Sequence, residues 1–95
     1  MIRHICMFKL KGNRAENAAE FVRRAESLRD IGEIRRFEVV SNASGAPDAN
    51  FDVSLIIDLE SLVALDAYQN HPIHLEFAKF VASVKQDRAC IDYEF

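Results

Sequence analysis

The sequence predicts a small α+β domain of ferredoxin-like type, with the element order β-α-β-β-α-β. Three observations predict it. Four stretches, 2–10, 34–41, 51–59 and 88–95, read as strands, with apolar residues recurring at every second position. Between the first and second of these, and again between the third and fourth, apolar residues recur at helical spacing. The connection Asn42-Ala43-Ser44-Gly45-Ala46-Pro47-Asp48 is turn chemistry throughout. No repeat, low-complexity segment or linker interrupts the pattern, so residues 1–95 are read as a single domain.

The first strand, Ile2 to Leu10, places His4, Cys6, Phe8 and Leu10 on one face and Ile5 and Met7 on the other. Both faces are apolar, so both are expected to be covered. Asn13 then reads as a helix N-cap, with Glu16 completing a capping-box pair, and Ala18, Phe21, Val22, Ala25 and Leu28 follow as the buried stripe. Gly32 is expected to stop this helix in a left-handed conformation. Ile34 to Ser41 is the second strand and Phe51 to Leu59 the third, in which Phe51, Val53, Leu55, Ile57 and Leu59 alternate with Asp52, Ser54, Ile56 and Asp58. Ser61 to Gln69 reads as a short helix. Pro72 breaks it and suits the first turn of another that runs to about Val84, with Ile73, Phe77, Phe80 and Val84 near one stripe. Arg88 to Phe95 is the fourth strand, Ile91, Tyr93 and Phe95 alternating with Cys90, Asp92 and Glu94.

Helices on one face of a four-stranded antiparallel sheet leave the opposite face bare, and Ile5 and Met7 lie on it. Two copies can bury these faces together as a barrel-like sandwich, so a homodimer is expected. A domain of 95 residues is also marginal alone, which gives self-association a thermodynamic motive.

Composition excludes several other classes. Net charge is −3 with Lys and Arg interspersed among Asp and Glu, so no basic patch points to nucleic acid. No apolar run approaches the ~20 residues of a membrane span, and the opening segment lacks a signal-peptide core. A cytoplasmic location is expected, with neither nucleic acid nor membrane as partner. Cys6 and Cys90 are expected to be buried free thiols; a redox pair requires that their strands be neighbours.

The segment most informative about chemistry is Tyr68-Gln69-Asn70-His71-Pro72-Ile73-His74. Its plain structural reading is a helix break in which Asn70 or His71 supplies a polar cap and His74 is a satisfied, partly buried side chain. Its functional reading is geometric. His74 lies seven residues before Val81, within ~20° of it around a helix, and so borders the apolar stripe. Tyr68 closes the preceding helix, and His4 shares a strand face with Cys6 and Phe8. If that face packs under the helices, His4, Tyr68 and His74 converge on one cleft. Two imidazoles and a phenol in an apolar cleft can perform acid–base work near neutral pH. Spacing alone does not establish that convergence.

The opening Ile2-Arg3-His4-Ile5-Cys6-Met7-Phe8-Lys9-Leu10, the Tyr68-x-x-His71-Pro72-x-His74 segment and the closing Ile91-Asp92-Tyr93 together resemble the stress-responsive α/β-barrel (Dabb) family of dimeric α+β barrel proteins. The resemblance spans nearly the whole chain, and the middle element is the most specific of the three. It implies a ferredoxin-like protomer, a homodimer with a central barrel, and a small cleft between helices and sheet. Most members have no known activity, but a plant member is a polyketide cyclase performing an intramolecular aldol condensation. Carried over residue by residue, its catalytic tyrosine and histidine match Tyr68 and His74, and the first-strand histidine lining its site matches His4. The third strand here reads Phe51-Asp52-Val53-Ser54, without the histidine that the cyclase carries there.

The expected function is therefore a homodimeric domain that binds a small apolar or aromatic molecule, with no cofactor and no metal. The alternative is an acid–base enzyme acting on a carbonyl or aromatic compound, with His74 as base, Tyr68 as acid or orienter and His4 beside them. A haem-handling monooxygenase of the same barrel architecture lacks support, because the chain has no Trp. A ring-forming structural protein is a further alternative. A nucleophilic hydrolase finds no activated cysteine, and His4, His71 and His74 sit in no ligand motif.

Overall fold

A computed structural model describes residues 1–95. It contains β1 (Ile2–Leu10), α1 (Arg14–Ala25), a short 3₁₀ segment (Glu26–Asp30), β2 (Arg36–Ser41), β3 (Val53–Leu59), α2 (Leu62–Asn70), α3 (Pro72–Val84) and β4 (Lys85–Glu94). The strands form one antiparallel sheet in the order β2-β3-β1-β4, the ferredoxin-like arrangement expected from the sequence.

Alternation decides which face is buried. His4, Cys6, Phe8 and Leu10 of β1, with Val53, Leu55, Ile57 and Leu59 of β3, turn toward the helices and are all buried. Phe21 of α1 is fully buried between Phe8, at 5.3 Å between ring centroids, and Phe77 of α3, at 5.1 Å. These aromatic contacts tie both long helices to the sheet. The other sheet face carries Met7, Val40, Ile91 and Tyr93, all exposed.

Local signals explain most boundaries. The Asn13 side chain accepts the Glu16 amide at 3.1 Å and starts α1, and Ser61 accepts the Ala64 amide at 3.1 Å and starts α2. His71 caps α3 through Nδ1, which accepts the Ile73 amide at 3.1 Å, while Pro72 occupies the first turn, where a missing N–H costs nothing.

Four boundaries differ from the sequence expectation by two residues or more. α1 does not run on to Gly32: the chain tightens into the 3₁₀ segment, because Ala25, Leu28 and Ile31 are all buried and recur every three residues, the 3₁₀ period. Gly32 is not in the left-handed region; Gly12 and Gly45 are, at φ 72° and 85°. β2 begins two residues late because the Ile34 amide is engaged by Ile31 in a turn. β3 begins after Asp52, which serves as a clasp: its carboxylate accepts the Leu10 amide at 2.7 Å and the Arg14 guanidinium at 2.8 Å. β4 begins at Lys85, three residues early, directly after α3.

The cysteines also differ from expectation. β1 and β4 are neighbours, and their register places Cys6 directly opposite Cys90. The two are joined in a disulfide with Cα atoms 4.3 Å apart, so neither is a free thiol. Cys6 is buried and Cys90 is exposed on the edge strand.

Candidate functional site

The cleft lies where α2 and α3 cross the end of the sheet near β4. Its three polar side chains arrive from three elements. His4 comes from the inward face of β1. Tyr68 comes from the last turn of α2. His74 comes from the first turn of α3, whose position is fixed by the His71 cap and Pro72. The sequence expectation that these residues meet is realised. Tyr68 packs edge-on against both imidazoles, with its ring centroid 4.7 Å from that of His74 and 6.1 Å from that of His4. All three line a cavity of about 230 Å³ whose remaining walls are mostly apolar, among them Phe8, Leu55, Phe77 and Val81.

The three groups differ in how they are satisfied. His4 is 4% exposed, and its Nδ1 is paired with the Asp92 carboxylate, directly opposite in the β1–β4 register. Its Nε2 lies 3.3 Å from Cys6 Sγ. Tyr68 is fully buried, yet its hydroxyl has no hydrogen-bond partner within the protein, and neither does the buried Nδ1 of His74. Buried polar atoms without partners are uncommon, and each costs free energy that a bound group can recover.

Burial also sets the protonation states. It lowers the His74 pKa below 6.5, the backbone at Gln69 opposing it and the neighbouring His4 and Arg88 side chains reinforcing it. It raises the Tyr68 phenol far above its ordinary value of 10.0. At neutral pH the pair is a neutral imidazole beside a protonated phenol, able to accept and to donate a proton.

Sequence reading missed three participants. Arg88, whose Nη2 donates to Cys6 Sγ at 3.4 Å, and Lys85 both line the cavity. Asp92 anchors His4. The available signal was the alternation in β4, which sets Cys90 and Asp92 on the face opposite Ile91 and Tyr93; what was lacking was the register against β1. His71 stands apart as a helix cap. From β3 only Leu55 reaches the cavity wall.

Comparison with known proteins places this geometry in a group. The family model described as the stress responsive A/B barrel domain, Dabb, matches residues 2–95. A dimeric protein of unknown function and ferredoxin-like fold from Bacteroides fragilis superposes with a TM-score of 0.85 at 30% identity, covering 99% of this chain and 95% of its own. A Dabb family protein with a ferredoxin-like fold from Mesorhizobium loti gives 0.81 at 24% identity, covering 99% and 95%. A dimeric ferredoxin-like protein of unknown function from Thermobifida fusca gives 0.87 at 23% identity, covering 99% and 90%. No curated protein matches the sequence.

Proposed function

The chain belongs to the stress responsive A/B barrel domain family, and from that premise we propose that it is a homodimer whose protomers each bind a small, largely apolar organic molecule in the cleft at Tyr68 and His74. The observation that carries this reading is the pair of buried, unpartnered polar atoms, Tyr68 Oη and His74 Nδ1, in residues that line one cavity. A ligand with one polar group and an apolar body supplies what both lack. At about 230 Å³ the cavity is smaller than the ~300–1,000 Å³ of drug-sized sites, which favours a single-ring compound. Dimerisation is supported by the exposed apolar face of the sheet, where Met7, Val40, Ile91 and Tyr93 stand together, and by the dimeric state of two of its structural relatives. No helix is long and apolar enough to cross a membrane; a cytoplasmic setting belongs to the same proposal.

The test combines a ligand-observed NMR screen of single-ring phenols and aromatic carbonyl compounds with light scattering. The wild type should bind members of the set at twice the 10.8 kDa chain mass. His74→Ala should lose binding and keep the dimer, and Met7→Glu should weaken the dimer by placing an unpaired charge in its interface. A monomer at low micromolar concentration, or binding unchanged in His74→Ala, overturns the corresponding half of the proposal.

A second reading is favoured by the protonation states. A neutral imidazole and a protonated phenol with centroids 4.7 Å apart fit proton abstraction next to a carbonyl, with His74 as base, Tyr68 as donor to the carbonyl oxygen and His4 alongside. Deuterium exchange at the α-carbon of a bound ketone, seen with wild type and absent with His74→Ala, would establish it; exchange at the buffer rate in both would remove it.

A further inference from the structure

A second constellation adjoins the cleft. The donor atoms of His4, Cys6 and Cys90 lie within 4.8 Å of one another. His4 Nδ1 is held by Asp92, which fixes the ring and leaves Nε2 facing Cys6 Sγ at 3.3 Å. A carboxylate behind the distal nitrogen is the outer-shell arrangement that orients a metal-binding imidazole and raises its basicity. The spacing agrees with the same role. Sulfur at ~2.3 Å and nitrogen at ~2.0–2.1 Å from one tetrahedral zinc ion are about 3.5 Å apart.

We propose that the reduced protein binds one thiophilic divalent cation of the zinc class through Cys6 Sγ, Cys90 Sγ and His4 Nε2, with the fourth position open to the cleft, and that the Cys6–Cys90 disulfide is the form that excludes the ion. This goes beyond the organic-ligand reading and does not depend on it.

The conversion balances. A dithiol or phosphine reductant supplies two electrons, the S–S bond breaks, and two protons are taken up to give two thiols. Binding of M²⁺ then releases both protons as the thiols become thiolates. The sulfurs must separate from bonding distance to the wider spacing of two ligands on one ion. Cys90 can provide that movement, because it is exposed on an edge strand while Cys6 is held in the core. Charge is also accommodated. Two thiolates neutralise the ion, and the Arg88 guanidinium, already donating to Cys6 Sγ at 3.4 Å, favours the thiolate while Asp92 offsets its charge. Two thiolates and one imidazole with an open position match a catalytic rather than a closed structural zinc site.

The test uses the full chain, reduced with excess phosphine, desalted under inert gas and titrated with Co²⁺ as a spectroscopic stand-in for Zn²⁺. One equivalent per chain should produce the intense visible bands of tetrahedral cobalt with a sulfur-to-cobalt charge-transfer band, and Zn²⁺ should displace it. The oxidised protein should give neither band. Asp92→Asn should weaken binding by ~10–100-fold, the usual size of an outer-shell loss, and Cys90→Ser and His4→Ala by more than that. His71→Asn, which keeps a capping side chain and removes the remaining imidazole that is not in the cleft, should bind as wild type. Absence of the cobalt bands in reduced protein that remains folded by circular dichroism overturns the proposal, as does an unchanged spectrum in Cys90→Ser. Neither readout involves an organic ligand, so failure of the cleft proposal is distinguishable from failure of this one.

Discussion

Two buried polar groups sit near opposite ends of β1 and are treated in opposite ways. Near Leu10, Asp52 is 8% exposed and has every need met: its carboxylate takes the Leu10 amide and the Arg14 guanidinium, and its amide donates to Phe8 at 2.9 Å. Near His4, Tyr68 is more deeply buried, and its hydroxyl has no partner. The same chain that closes one polar site completely leaves the other open, and it does so beside a cavity. Satisfaction marks Asp52 as a fastener of β1, α1 and the loop before β3. Dissatisfaction marks Tyr68 and His74 as groups whose partner comes from outside.

Breaking the satisfied end should have the largest effect. Asp52→Ala strands the buried Leu10 amide and removes the anchor of Arg14, at a cost of about 1–3 kcal/mol for the orphaned donor alone. Urea denaturation should show the midpoint fall with little change in slope, while cleft ligands bind the remaining folded protein normally. A loss below about 0.5 kcal/mol would mean that water replaces the carboxylate at Leu10, and Asp52 would cease to be a fastener.

The contrast between these ends was only half legible in the sequence. Alternation in β1 and β3 gave both sheet faces, and the Asn13 and Pro72 signals gave helix starts, because each is a local interaction. Convergence of His4, Tyr68 and His74 was foreseeable once the helices were laid on the His4 face. Asp52 and Asp58 were not, because alternation alone assigns charged residues to the wet face; only the sheet order brings Arg3 to Asp58, at 2.7 Å, and Arg14 to Asp52. The Cys6–Cys90 and His4–Asp92 pairings depend on β1–β4 register, which the intervening residues determine jointly and no single residue announces.

Acid should separate the two ends by the pH at which each responds. Burial alone would raise the Asp52 carboxyl, but the Arg14 guanidinium and the Leu10 amide outweigh it and hold it below 3.8. Its contribution is therefore full above the unfolded carboxylate range and is lost as pH falls through the lower folded value. His74 is also lowered in the folded protein, from 6.5, but here the neutral form is the favoured one. Between its folded value and 6.5 the unfolded chain binds the extra proton, so stability falls as pH drops below about 6.5 and levels off beneath the folded value. Thermal melts of the oxidised protein from pH 8 to 5 should show this early decline in wild type and a flatter profile in His74→Gln. Equal slopes would place the His74 ring in contact with solvent.

The smallest effect on stability should be the most informative about the open end. Tyr68→Phe removes one oxygen and keeps the ring that packs against His4 and His74. If the hydroxyl had a protein partner, the change would orphan that partner and destabilise the fold by about 1–3 kcal/mol. With no partner, the substitution removes a polar atom that is buried without compensation, and the melting temperature should hold or rise by a few degrees, since about 1 kcal/mol moves a domain of this size by roughly 4–8 °C. Affinity for a single-ring ligand should move the other way, falling because the donor to its polar group is gone. Stability held or raised together with affinity lost is the pattern of a group kept for binding at the expense of the fold. A large drop in melting temperature would show instead that Tyr68 Oη is hydrogen-bonded inside the protein, and the comparison with Asp52 would then collapse into two fasteners rather than a fastener and a site.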